Sequence, residues 1–426
     1  MRLAVAFLTL ATTAGAQSIA ARVSQAPAGV VRMQYDSRPG TCGDGRDVIG
    51  FGRALFARNF QSIGRWHTSR CEAGPLRVTL FTDAGQVTRV QTQVGGAWPS
   101  TSGSVTDLGV VSPAEASAFI FALVARLETS GGKDRLLIPA VLADGVNPIA
   151  PLLALARDEN RAISTRRSAV QWLGLVGDST VVPALTAFAR ADVDEDGDDK
   201  PGKKSLGSSA MAALSTLEDN VGVPDLIELV GSGSMGTRRN AVFWLGQNGD
   251  PRAIRKLHQV IEDNREDMRV RSHAIFALSQ SDAASNTELA YLRGVYPRLP
   301  DRQMKEQVFQ GMSQDESVDA GRWLLAHVMD SSEPFALRKS ALFWAGQREA
   351  TPTSELVKAY EQIDDTELKE HAIFVLSQRD DEEATNALLK IARDDKQPGM
   401  RSKALFWLAQ KDDPRVKKLI ADLILK

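Results

Sequence analysis

Three carboxylates at alternate positions, Asp192, Asp194 and Asp196, run directly into Gly197. That spacing starts a calcium loop, in which a hard cation takes several oxygen ligands around a sharp bend. The twelfth position of such a loop, where a bidentate carboxylate belongs, is Lys203. Two readings therefore stand: a calcium site on Asp192, Asp194 and Asp196 completed by other ligands, or a solvated acidic loop. No other cofactor is suggested. The five histidines make no His-Glu-x-x-His pattern, and His273 and His371 occupy one position in two separate repeats rather than one helix face. Gly-Ser-Gly-Ser-Met-Gly at 231–236 spells a dinucleotide fingerprint, but it comes after a helical segment instead of a strand and is expected to be a loop between helices. Without a nucleophile elbow or a Walker loop either, the chain is expected to be non-catalytic.

The only cysteines are Cys42 and Cys71. At the N-terminus Arg2 precedes the apolar run Leu3 to Ala11, and Ala14-Gly15-Ala16 supplies a small-x-small cleavage pattern, so residues 1–16 are expected to be a secretory signal peptide. In a chain exported to the periplasm or secreted, Cys42 and Cys71 are expected to form a disulfide. The alternatives are two free thiols or part of a metal site with His67. A bridge would close a loop of about 30 residues, a contribution of about 3.5 kcal/mol in the chain-entropy model.

The region 17–109 differs in pattern from the rest of the chain. Leu76 to Phe81 and Val87 to Val94 alternate around a Gly-containing turn and predict a β-hairpin, with Val30 to Tyr35 as a further strand. Gly95 to Gly109 is rich in Gly, Ser and Thr and is expected to be a linker. Helical signal begins at Ser112-Pro113-Ala114-Glu115, which can cap a helix. Glu115 to Leu127 and Asp134 to Leu142 are expected to form a divergent first helical pair.

From Arg166 onward one pattern recurs: a basic residue, two spacers, Ala, an aliphatic residue, Phe, often Trp, Leu, a small residue and Gln. The clear copies begin at Arg238, Arg271, Arg338, Lys369 and Arg401. Ala210, Ala241, Ala274, Gln307, Ala341, Ala372 and Ala404 mark equivalent positions, spaced about 31 to 34 residues apart as in a stacked helical array. Such an array grows in one direction, so 426 residues with 43% hydrophobic content give no count of globular domains.

These features resemble HEAT repeats, in particular the HEAT-like repeats of bacterial bilin-lyase-type proteins, over residues 112–426. The resemblance implies a right-handed α-solenoid of antiparallel helix pairs, an armadillo-like all-α fold behind the small β-containing region. It also implies that the Arg and Asp columns knit adjacent repeats together. HEAT repeats serve scaffolds, adaptors, chromophore lyases and a few enzymes, so the fold leaves function open.

On a helix advancing about 100° per residue, with the core Ala at zero, the Leu falls at about 40° and the basic residue at about 60°, toward the partner helix. Phe falls at about 200° and Gln at about 240°, one turn apart on the opposite side. Phe243 and Gln247, Phe276 and Gln280, Phe343 and Gln347, Phe374 and Gln378, and Phe406 and Gln410 would then line a groove. There the amides would bond a peptide backbone and the rings would form slots, in the manner of importin-type armadillo arrays. The alternative places Phe and Trp in lateral packing between repeats, with Gln bonding along the stack. The expected function is an exported, non-catalytic interaction scaffold binding a protein or peptide along its concave face. A bilin-lyase-like protein handling a chromophore or cofactor is the alternative, and recognition by the N-terminal region with the array as spacer is a third. A formal charge of −2 gives no footprint for nucleic acid, and no apolar stretch is long enough for a membrane span.

Overall fold

The computed structural model describes residues 17–52, 54–55, 71–101, 103–127, 135–191, 206–280, 286–411, 413–417 and 419. The expected leader and the acidic loop with Asp192, Asp194 and Asp196 lie outside the described residues. The chain divides into two compact units, residues 1–189 with 201–219, and residues 190–200 with 220–426. No helix among the described residues is long and apolar enough to cross a membrane.

Unit 1 opens with helix α1 (Ile19–Gln25), capped by Ser18, and strands β1 (Gly29–Tyr35), β2 (Thr41–Gly43), β3 (Val48–Phe51), β4 (Ala54–Leu55), β5 (Glu72–Ala73), β6 (Leu76–Asp83), β7 (Gln86–Val94) and β8 (Ser104–Val110). They form two four-stranded sheets, ordered β7-β6-β1-β8 and β4-β3-β2-β5. The expected hairpin is β6 and β7, paired antiparallel from Leu76 and Val94 to Asp83 and Gln86. Residues 104–109 of the expected linker, together with Val110, instead form a strand parallel to β1. Composition hid it because most of its side chains are exposed, whereas Leu108 faces the core. Cys42 and Cys71 are joined in a disulfide with Cα atoms 5.1 Å apart.

The sheet core of Val31, Met33, Leu76, Val78 and Leu80 is fully buried. Hydrogen bonds tie this region to the next helices in the chain: Ile19 N donates to Glu115 Oε1 at 2.7 Å, and Tyr35 Oη donates to Pro139 O at 2.8 Å. Those helices are α2 (Pro113–Leu127), the short α3 (Ile138–Val141), α4 (Ile149–Arg157), α5 (Ile163–Val176), α6 (Val182–Arg190, ending just past the division between units) and α7 (Leu206–Thr216).

Unit 2 consists of helix pairs: α8 (Val223–Ser232) with α9 (Met235–Asn248), α10 (Pro251–Glu262) with α11 (Met268–Gln280), α12 (Asn286–Val295) with α13 (Arg302–Met312), α14 (Val318–Met329) with α15 (Phe335–Gly346), α16 (Thr353–Gln362) with α17 (Thr366–Ser377), and α18 (Glu382–Asp394) with α19 (Pro398–Leu408). Each second helix packs on its first helix, and successive second helices from α9 to α19 pack on one another. The 231–236 stretch joins α8 to α9, with Ser234 capping α9.

The basic column has a different task from the one the resemblance implies. Arg238 Nε donates to Val230 O at 2.8 Å, Arg271 Nε to Ile261 O at 3.0 Å, Arg338 Nε to Val328 O at 2.8 Å and Arg401 Nη1 to Asp395 O at 2.8 Å. Each guanidinium thus satisfies carbonyls at or just beyond the C-terminal end of the first helix in its own repeat, where a cation also meets the helix dipole. Where the column holds Lys, the ammonium lies over a Tyr in or just past the first helix: Lys369 over Tyr360 at 5.1 Å and Lys305 over Tyr296 at 4.9 Å. Adjacent repeats are knitted instead by the residue after the Gln. Arg348 donates to Met312 O and, at 2.5 Å, to Ser317 O; Arg379 donates to Arg348 O at 2.6 Å; Lys411 donates to Arg379 O at 2.6 Å. Two members of the column add an ion pair to the next repeat, Arg238 with Glu266 and Lys305 with Glu333.

Lateral packing fixes two further columns, the small residue of one second helix against the Trp position of the next. A Cβ added to Gly246 would lie 2.7 Å from the carbonyl oxygen of Ala277, and one on Gly346 would collide with Val375. In α13 the burial pattern Met304, Val308, Phe309, Met312 matches Leu337, Ala341, Leu342, Ala345 of α15. Val308, not Gln307, is therefore the core position of that copy. The spelling Val-Phe imitates the aliphatic-Phe step of the other copies, but Phe309 takes the aliphatic place and is fully buried against Tyr296 and Trp323, with ring centroids at 5.1 and 5.7 Å.

Candidate partner-binding face

Of the helical columns, those of the core Ala, the aliphatic residue and the Leu face the first helix, and the small and Trp columns face the neighbouring repeats. Besides the two spacers that follow the basic residue, the columns left over are Phe and Gln. Gln247, Gln347, Gln378 and Gln410 are exposed and Gln280 is half-buried. Phe243, Phe276, Phe343 and Phe374 are half-buried, and Phe406 is 59% exposed.

The rings are held from the side. Phe243 meets Trp244, Phe343 meets Trp344 and Phe406 meets Trp407 edge-on, with centroids 5.1 to 5.2 Å apart. Phe374 also touches Trp407 of the next repeat at 5.3 Å, so this ring takes part in lateral packing while one side remains open. Such contacts fix ring orientation at little further entropy cost, which suits a rigid apolar surface.

His371 stacks on Phe374 at 5.6 Å, and burial, reinforced by the charge of Lys339, pushes its pKa down to about 4. It is thus neutral at pH 7, and its Nε2 is buried without a hydrogen-bond partner among the described residues. The indole nitrogens of Trp244 and Trp407 are in the same state.

Among the described residues no group of three or more His, Cys, Asp or Glu side chains could hold a metal ion. The ten Phe and Gln positions all lie in unit 2, on α9, α11, α15, α17 and α19 or within two residues of their ends. Two residues of the same columns, Gln310 and Gln314, escaped the sequence pattern. The signal that finds them is the +33 offset between the buried residues of α13 and α15.

Residues 223–313 match the family model described as HEAT repeats, so the chain carries HEAT repeats, in agreement with its helix pairs. No curated protein sequence matches the chain. Among solved structures, the phycocyanin lyase complex of Nostoc sp. PCC7120 is similar at 20% identity, over 57% of this chain and 94% of that one, with a TM-score of 0.29. Human deoxyhypusine hydroxylase in complex with glycerol is similar at 21% identity, over 59% and 97%, with a TM-score of 0.27. A homology model of the full-length AP-3 complex is similar at 14% identity, over 74% and 57%, with a TM-score of 0.39. At TM-scores this low these likenesses carry no argument about function.

Proposed function

We propose that this HEAT-repeat chain is an exported, non-catalytic scaffold that binds an extended polypeptide along the outward, concave face of its second helices in unit 2. The observation that carries the reading is the Gln column, exposed in four of its five sequence-recognised copies, each amide one turn from an aromatic ring. A carboxamide offers both a donor and an acceptor, the two groups an extended backbone leaves unpaired, and rings between them give side-chain slots. Export is supported by the leader-like N-terminus and by the Cys42–Cys71 bridge, since such bridges persist in oxidising compartments. Two alkylatable thiols in protein isolated without reductant would count against export.

Peptides of about 16 residues, long enough to cross six helices spaced roughly 9 Å apart in extended form, are the probe. Panning a random display library of that length on the mature chain should enrich binders. Their affinity should fall about tenfold or more in the triple variant Gln280→Ala, Gln347→Ala, Gln378→Ala at unchanged melting temperature. No enriched binder, or equal affinity for a folded triple variant, overturns the reading.

A further inference from the structure

The outward face is not uniform: on α13 the Phe column holds Gln310 and the Gln column holds Gln314. Four contacts fix that register independently of the burial pattern. Ser313 Oγ donates to Gln310 O at 2.6 Å, as Ser279 Oγ does to Phe276 O at 2.9 Å and Ser377 Oγ to Phe374 O at 2.7 Å. Gln314 Nε2 donates to Ser313 Oγ at 3.1 Å, as Gln378 Nε2 does to Ser377 Oγ at 3.3 Å. Lys305 lies over Tyr296 as Lys369 lies over Tyr360. A Cβ on Gly311 would sit 2.6 Å from Ser279 Cβ, which puts Gly311 in the Trp column. With Phe309 withdrawn into the core, Gln310 is half-buried and Gln314 exposed. Along unit 2 the outward face therefore runs aromatic on α9 and α11, doubly amide on α13, and aromatic again on α15, α17 and α19.

We infer that the polypeptide bound by unit 2 carries a hydrogen-bonding side chain, of the Asn, Gln, Ser or Thr class, opposite α13, between apolar side chains that meet the Phe columns on either side. This rests on the scaffold reading above. An apolar side chain seated on Gln310 would strip water from its amide and return no hydrogen bond, a loss of the kind that separates ligands about tenfold or more. A polar side chain pressed on Phe276 or Phe343 would suffer the reverse. With neighbouring second helices roughly 9 Å apart and an extended chain rising about 3.3 Å per residue, adjacent slots correspond to about three residues of ligand. The expected ligand pattern is apolar, polar, apolar at that interval.

The test pans the same random peptide library on the wild-type chain and on Gln310→Phe, with Gln310→Leu as a second variant. All three keep the buried residues of α13, and their folding is checked by circular dichroism. Wild type should enrich peptides with a polar residue about three positions from apolar ones on both sides. Replacing that residue by Leu in a selected peptide should weaken binding to wild type about tenfold and strengthen binding to Gln310→Phe. Binders without the polar position, or a Leu replacement acting equally on wild type and both variants, overturn this inference and leave the scaffold reading intact. Failure to enrich any binder removes the scaffold reading and this inference with it.

Discussion

The positions that carry Phe and Gln on α9 hold Gln171 and Leu175 on α5 and Ala212 and Thr216 on α7. Elsewhere α5 agrees with the second helices of unit 2, whereas α7 has Gly207 in place of the basic residue. Arg166 Nε donates to Ala156 O at 2.9 Å in unit 1, as Arg238 does to Val230 O in unit 2. Gly174 lies against Ala213 in unit 1 as Gly246 lies against Ala277 in unit 2, with a hypothetical Cβ at 2.6 Å from the Ala213 Cα. The lateral contact between second helices is thus common to both units, and the outward columns differ. Stacking alone does not require Phe and Gln at the outward positions, because α5 and α7 stack without them. Their regular return in unit 2 needs a second cause, which supports a binding role for that face.

The strongest way to break this comparison is to strike a stacking contact peculiar to unit 2. Arg348 is 3% exposed and its guanidinium satisfies the carbonyls of Met312 and Ser317. Arg348→Ala leaves those acceptors unpaired and should lower the stability of unit 2 by about 3 kcal/mol, seen as a lower urea midpoint. A loss under about 1 kcal/mol would mean that solvent reaches these carbonyls and that this cation is not what joins the repeats.

Next comes the contact both units share. Gly174→Ala and Gly246→Ala each force a Cβ against backbone of the next second helix. Each should cost about 1 to 3 kcal/mol in thermal or urea unfolding. One silent substitution would show that the two units do not stack by the same rule.

The array was legible because its buried columns repeat locally, within one turn of Ala241, Ala274, Ala341, Ala372 and Ala404. What escaped depends on partners about 30 residues away in sequence. Gly311 is meaningful only beside Ser279, and without that neighbour Val308-Phe309 is naturally placed one residue out of register. Arg348, Arg379 and Lys411 were visible as a Gln-Arg or Gln-Lys step, yet their acceptors are backbone carbonyls, which carry no residue signature. The strand at Ser104–Val110 was hidden for a related reason: it lies at a sheet edge and shows solvent-facing residues on both faces, so no alternation marks it.

A smaller effect is expected from His371, whose folded pKa of about 4 lies below the ordinary imidazole value of 6.5. The native state then holds fewer protons than the unfolded chain between these values. The stability linked to His371 is complete above about pH 6.5 and is lost as pH falls toward 4. Calorimetry at pH 7 and pH 5 should show a larger fall in melting temperature for wild type than for His371→Gln. Equal falls would place the imidazole in contact with water rather than under Phe374.

The smallest expected effect separates two residues that are neighbours in sequence. Gln347 is exposed on the outward face, whereas Arg348 turns back into the seam between repeats. If stacking uses only the inward and lateral columns, Gln347→Ala and Gln378→Ala should each change unfolding free energy by no more than about 0.5 kcal/mol, as surface substitutions do. The adjacent Arg348→Ala should cost several times more. A loss of about 1 kcal/mol or greater at Gln347 or Gln378 would instead assign the amides to bonding along the stack. The Gln column would then join the structural columns, and its absence from α5 and α7 would no longer point to a ligand.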